Sequence, residues 1–129
     1  MSEKFLVEII TPNKTLLKSE TQEVIIPSYE GEMGILKDHI PLITFLRPGL
    51  VTIKSEEEKK YFVEEGTIEF VNNNLLILTS KAMDIKDLES NFVDESIKKA
   101  KENINQPKTS DKEKYLLFHK IEILKELRK

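Results

Sequence analysis

The sequence contains no cysteine, which excludes disulfides, thiolate chemistry and cysteine-built metal sites. It has only two histidines, His39 and His119, and neither has a neighbour at a metal-ligand spacing. No apolar run approaches the roughly 20 residues needed to cross a bilayer. The opening MSEKFLVEIITPNK lacks a secretory pattern, because its apolar run is short and Glu8 interrupts it. A bacterial cytoplasmic setting is therefore expected. Glycine is also scarce. Three of the four glycines, Gly31, Gly34 and Gly49, fall within EGEMGILKDHIPLITFLRPG (30–49), together with Pro41 and Pro48.

What is present is globular: 39% hydrophobic and 33% charged residues over a 129-residue chain predict one compact domain with a small appendage. The net charge of −3 is unevenly spread. Residues 1–89 carry 10 basic against 16 acidic side chains (net −6), whereas 90–129 carry 10 against 7 (net +3). The acidic front argues against nucleic acid, and the basic tail suits an acidic protein surface or a phosphate-bearing ligand.

Up to about residue 88, short apolar segments alternate with turn residues: FLVEII (5–10), TLLKSE (15–20), QEVII (22–26) stopping at Pro27, GIL (34–36), PLITFL (41–46), LVTIK (50–54), KYFVEEG (60–66), TIEFV (67–71) and NLLILTS (74–80). β-Branched and aromatic residues dominate these runs, with turn chemistry about every ten residues. Such a series predicts a sandwich or barrel. In TIEFV, Ile68 and Phe70 share one face while Thr67, Glu69 and Val71 take the other, and LLIL reads as a more central strand.

From Glu89 the period changes. Val93, Ile97, Ala100 and Ile104 form one helical stripe, with Ser90 or Asn91 as the expected cap and Asp94 and Glu95 in the first turn. Asn105-Gln106-Pro107 ends it. Ser110 and Glu113 predict a capping box opening a second helix, whose stripe is Leu116, Leu117, Ile121, Ile123, Leu124 and Leu127. Two short helices are marginal alone, so the pair must dock, and a weakly docked pair could detach.

No motif carries reaction chemistry. Asp38-His39 with Ser28 or Ser80 resembles no nucleophile elbow. Gly31-Glu32-Met33-Gly34 lacks the Lys-Ser or Lys-Thr of a phosphate loop, and its carboxylates would repel phosphate. Glu56-Glu57-Glu58 reads as a solvated hairpin tip and Glu64-Glu65-Gly66 as a turn. No catalytic residue, metal or cofactor is expected. A hydrolase built on Asp38-His39 and a free-standing regulatory sandwich remain competing classes.

VIIPSYEGEMGILKDHIPLITFLRPG (24–49) resembles the signature of the epsilon subunit of F-type ATP synthases. The matching pieces are Glu30-Gly31-Glu32-Met33-Gly34-Ile35-Leu36, His39-Ile40-Pro41-Leu42 and Leu46-Arg47-Pro48-Gly49, continuing through Phe62-Val63 and Glu65-Gly66-Thr67-Ile68-Glu69. The resemblance implies a β-sandwich of about ten strands over residues 1–87 and a C-terminal antiparallel two-helix hairpin over 88–129. It implies a non-catalytic rotor subunit that clamps the gamma subunit and touches the c-ring, peripheral to the cytoplasmic face of a bacterial inner membrane. Its C-terminal helices would restrain ATP hydrolysis by meeting alpha and beta subunits.

Residue by residue, the resemblance places Glu30, Gly31, Glu32, Met33 and Gly34 toward the c-ring, with the glycines allowing a tight turn, and Thr11, His39 and Thr44 toward gamma. Lys112, Lys114, Lys120, Lys125, Arg128 and Lys129 are the basic residues of the regulatory helix. Some family members bind ATP through an Ile-Asp-x-x-Arg-Ala motif. The aligned Leu88-Glu89-Ser90-Asn91-Phe92-Val93 has Phe92 in place of the arginine, so no strong nucleotide binding is expected.

Overall fold

The computed structural model describes residues 3–128, so Lys129 lies outside the described residues. Ten strands come first: β1 (Phe5–Ile10), β2 (Thr15–Thr21), β3 (Glu23–Ser28), β4 (Gly31–Leu36), β5 (Leu42–Leu46), β6 (Gly49–Lys54), β7 (Glu58–Val63), β8 (Gly66–Val71), β9 (Asn74–Thr79) and β10 (Ala82–Asp84). A 3-10 turn at Ile85–Asp87 leads into α1 (Ser90–Ile104) and α2 (Asp111–Leu127).

The strands make two layers. β10, β7, β6 and β3 form one, with β4 added to β3, and β5, β8, β9, β1 and β2 form the other. β3 links them: its first half pairs with β6 and its last residue, Ser28, pairs with Leu46 of β5. Most ladders are antiparallel, but β1 runs parallel to β9. Alternation drives this arrangement. Phe5, Val7 and Ile9 of β1, Ile68 and Phe70 of β8, and Leu75 and Ile77 of β9 point inward, meeting Val24, Ile26, Ile35, Val51, Ile53 and Tyr61 from the facing layer.

The expected half-buried pattern of TIEFV is present, and β9 lies between β8 and β1 as a central strand. A two-residue turn joins β8 to β9 through Asn72 and Asn73, both at positive φ (51° and 59°), a conformation asparagine tolerates well.

A third layer lies on the outside of β6 and β7. Phe62, buried on that outer face, packs with Val93 and Ile97 of α1 and Leu124 of α2, flanked by Leu50, Phe92, Ile123 and Leu127. This explains why LVTI and YFV are apolar without alternation: their layer is covered on both faces. Asn105 ends α1 as expected, and the Ser110–Glu113 capping box forms in full.

Several local expectations need correction. β3 continues through Pro27 to Ser28, because its pairing with β6 ends at Ile25 and no neighbour on that side needs the N–H that proline lacks. β4 begins at Gly31 rather than Gly34, so the turn is only Tyr29-Glu30. Glu58 already pairs with Lys54 within β7, leaving Ser55–Glu57 as the tip. β10 was not anticipated: three residues are too few to show periodicity. α1 starts at Ser90, so its N-cap is Glu89 without a side-chain capping bond, and Asp94 and Glu95 fall beyond the first turn.

Candidate functional site

The stretch 30–49 is two strands in different layers rather than one irregular loop: β4 pairs with β3, and β5 pairs with β8. At one end, the Ser28 hydroxyl donates to the Gly31 carbonyl (2.7 Å) across the Tyr29-Glu30 turn. Gly31 has φ +132°, a backbone state that L side chains rarely adopt, so glycine is required there. Glu30 and Glu32 are exposed, and Met33 is half-buried against the core. Gly34 is not a turn residue: it sits within β4 opposite Ile25 and is solvent-exposed.

β4 carries the chain to the opposite end, where His39 lies. There Asp38 (φ 66°) donates its backbone N–H to the Asn73 side chain (2.7 Å), and the Asn73 amide donates back to the Asp38 carboxylate (3.0 Å). This exchange ties the β4–β5 and β8–β9 turns together. The His39 ring sits edge-on to Phe70 at 6.0 Å, so it is braced by a core aromatic. No nucleophile contacts it among the described hydrogen bonds; its Nδ1 lies 2.8 Å from the Ile40 carbonyl oxygen.

The residues assigned to gamma do not form one cluster. Thr44 is in the middle of β5 opposite Ile68, half-buried. Thr11 lies in the β1–β2 turn, where it exchanges backbone bonds with Lys14, at the Leu78–Thr79 end of the layer. A strand of this length separates that end from His39, about 17 Å at ~3.4 Å per residue. What connects them is the uncovered outer face of the β5–β8–β9 layer.

That face carries exposed apolar side chains on either side of Thr67 and Glu69. Ile43 is 76% exposed and Phe45 59%, and they stand in register with Glu69 and Thr67 of β8, beyond which lie Leu76 and Leu78 of β9. Val71 (41% exposed) and Leu78 (42%) extend the patch, and Ile40 stands at its His39 end. The sequence reading missed these positions. The signal was in PLITFL: a half-buried strand should carry polar residues on one face, yet both faces of this run are largely apolar.

The helical pair meets the other end of the same region. The Tyr115 hydroxyl donates to the Tyr29 carbonyl (2.6 Å), and their rings lie 5.2 Å apart. Tyr29 also stacks on Phe45 (5.8 Å), while His119 packs on Tyr115 (4.5 Å) and Phe118 (5.3 Å). An aromatic row thus runs from the outer sheet face to α2. Burial, then the proximity of Tyr115 and Glu65, push the Tyr29 phenol above its ordinary pKa.

Among the basic residues of α2, Lys112, Lys114, Lys125 and Arg128 are exposed, with Arg128 3.6 Å from Asp94 of α1. Lys120 differs: it is partly buried and bridges to Glu64 at 3.2 Å, fastening α2 to the β7–β8 turn. Phe92 serves packing, lying beneath the Lys81 ammonium at 4.6 Å and against the helix–sheet core. Among the described residues, no three His, Asp or Glu side chains converge as a metal site. No described helix is long and apolar enough to cross a membrane.

The family model for the ATP synthase delta/epsilon chain β-sandwich domain matches residues 4–85. The ATP synthase epsilon chain of Pelagibacter ubique is 47% identical over 129 residues, covering 98% of this chain and 99% of the relative. That of Parvibaculum lavamentivorans is 32% identical, covering 99% and 98%. Among solved structures, a chain in the Euglena gracilis mitochondrial ATP synthase (OSCP/F1/c-ring) superposes with a TM-score of 0.76 at 18% identity, covering 98% of this chain and 81% of that one. At that identity the likeness speaks for the fold.

Proposed function

This chain belongs to the ATP synthase delta/epsilon family, and from that premise we propose how its surfaces are shared among the subunits of the enzyme. It is a non-catalytic, membrane-associated accessory subunit of the central stalk. The uncovered sheet face bearing Ile43, Phe45, Val71 and Leu78, with His39 and Thr11 at its two ends, receives the gamma subunit. Thr44, on the inward side of β5 opposite Ile68, supports that face from beneath. The Glu30–Gly34 segment meets the polar loops of the c-ring, with Glu32 paired to a basic ring residue. The sandwich (1–87) is then the gripping unit and the hairpin (88–129) the regulatory one, its Lys112, Lys114, Lys120, Lys125 and Arg128 meeting alpha and beta subunits when the helices extend. The assembly sits at the cytoplasmic face of a bacterial inner membrane.

The observation that carries the reading is the exposed apolar face. Water-facing Ile43 and Phe45 side by side are unfavourable in a lone soluble protein and are expected where a permanent partner covers them. Rotation through such a grip requires tight packing rather than chemistry. Co-purification tests it: the full chain should be retained by the gamma subunit of the same organism through salt washes, because apolar contact is not screened. Failure to associate would remove the reading.

A further inference from the structure

We propose that His119 is a proton-operated latch holding α2 on the sandwich. The inference rests on reading the hairpin as regulatory. The Arg47 guanidinium, from the turn between β5 and β6, lies with Nη1 3.4 Å from Nε2 of His119. Arginine has only donors, so this contact needs the Nε2 lone pair, and therefore a neutral imidazole with its proton on Nδ1. Protonation fills that lone pair. Two donors and two positive charges then face each other, on the helix that Tyr115 and Lys120 otherwise tie down.

Other groups share the groove. Tyr29 and Glu32 approach from the sandwich, and Tyr115, Glu122 and Glu126 from α2 itself. Glu122 favours the protonated ring, and Glu32 and Glu126 would pull the same way. Burial and then Arg47 outweigh them, so the His119 pKa lies below its ordinary value. The sign follows: a base whose pKa is depressed when docked binds more protons when released. Docking is strongest above the ordinary histidine value of about 6.5 and weakens as pH falls through it.

Hydrogen exchange of the α2 amides in the full-length chain, divided by intrinsic rates, reads the open population directly. Between about pH 7.5 and about pH 5.5 that population should rise several-fold, with a ceiling of about tenfold set by the free-histidine pKa. His119→Gln keeps an acceptor for Arg47 but cannot titrate, so its ratio between the two pH values should be near one. Arg47→Gln should shrink the rise. An unchanged wild-type ratio, a His119→Gln chain that keeps the full rise, or an equal rise at the core amides of Ile9 and Ile77 would each overturn the latch. The regulatory reading fails separately, if removing the hairpin leaves hydrolysis by the assembled enzyme unchanged.

Discussion

The Tyr115 phenol donates to the Tyr29 carbonyl oxygen at 2.6 Å, joining the second helix to the turn that presents Glu30 and Glu32. The bond spans 86 residues of sequence and links the helical pair to the segment proposed to meet the c-ring. Tyr115→Phe keeps the ring packing and removes only this bond. It should cost about 1 kcal/mol of docking, a roughly fivefold rise in α2 opening by hydrogen exchange, with the sandwich amides unaffected. An unchanged exchange rate would mean that the bond does not hold the helix.

Removal of residues 88–129 should raise ATP hydrolysis by the reconstituted enzyme while leaving gamma binding intact. The deletion uncovers Phe62 and Leu50 on the outer face of β6 and β7, so the truncated chain should also be less soluble. Hydrolysis assays on assembled enzyme check the first expectation, and equal rates with and without the hairpin would contradict it.

Two glycines separate folding from contact. A Cβ on Gly66 would stand 1.9 Å from the Leu78 carbonyl oxygen, a backbone atom that cannot step aside. Gly66→Ala should therefore cost at least about 3 kcal/mol and lower Tm by roughly 10 °C. A Cβ on exposed Gly34 would meet only the Glu23 carboxylate at 3.4 Å. Gly34→Ala should keep Tm within about 2 °C, since exposed substitutions away from special features stay near ±0.5 kcal/mol. If the ring packs closely there, the same variant should assemble poorly. Thermal melts and reconstitution together separate the two effects.

The start of α2 depends on acid–base state. The Ser110 backbone N–H and hydroxyl hold the Glu113 carboxyl below its ordinary pKa. A carboxylate depressed in the folded state stabilises it above the ordinary glutamate value of about 4.3, and that contribution is lost as pH falls through the lowered one. Fraying at Asp111–Lys114 should therefore increase in strong acid. Ser110→Ala, which removes the other half of the box, should cost about 1 kcal/mol of helix stability at neutral pH. Exchange at the first-turn amides checks both.

Much of this was legible in the sequence because local rules and tertiary structure agree. Strand periodicity placed β1, β2, β5, β6, β8 and β9, and the Ser110–Glu113 spacing placed the second helix. The failures have physical causes. Pro27 looked like a stop because the sequence does not show that β3 has already left β6. Gly34 looked like a turn residue because glycine in an exposed strand leaves no distinct signal. The docking contacts, Tyr29 with Tyr115 and Arg47 with His119, join positions 86 and 72 residues apart, which no local pattern encodes. The apolar outer face left its trace in PLITFL, but an apolar strand covered by another chain looks the same in sequence as one covered by its own.

The central claim is that the outer face of β5, β8 and β9 grips another subunit. The most direct test is the affinity of the gamma subunit for Ile43→Asp/Phe45→Glu, measured beside its melting temperature. Both side chains already face water, so the fold should be kept, with Tm within a few degrees of wild type. Binding should weaken by at least ~2 kcal/mol, about 30-fold or more. Wild-type affinity in the doubly charged chain would contradict the account.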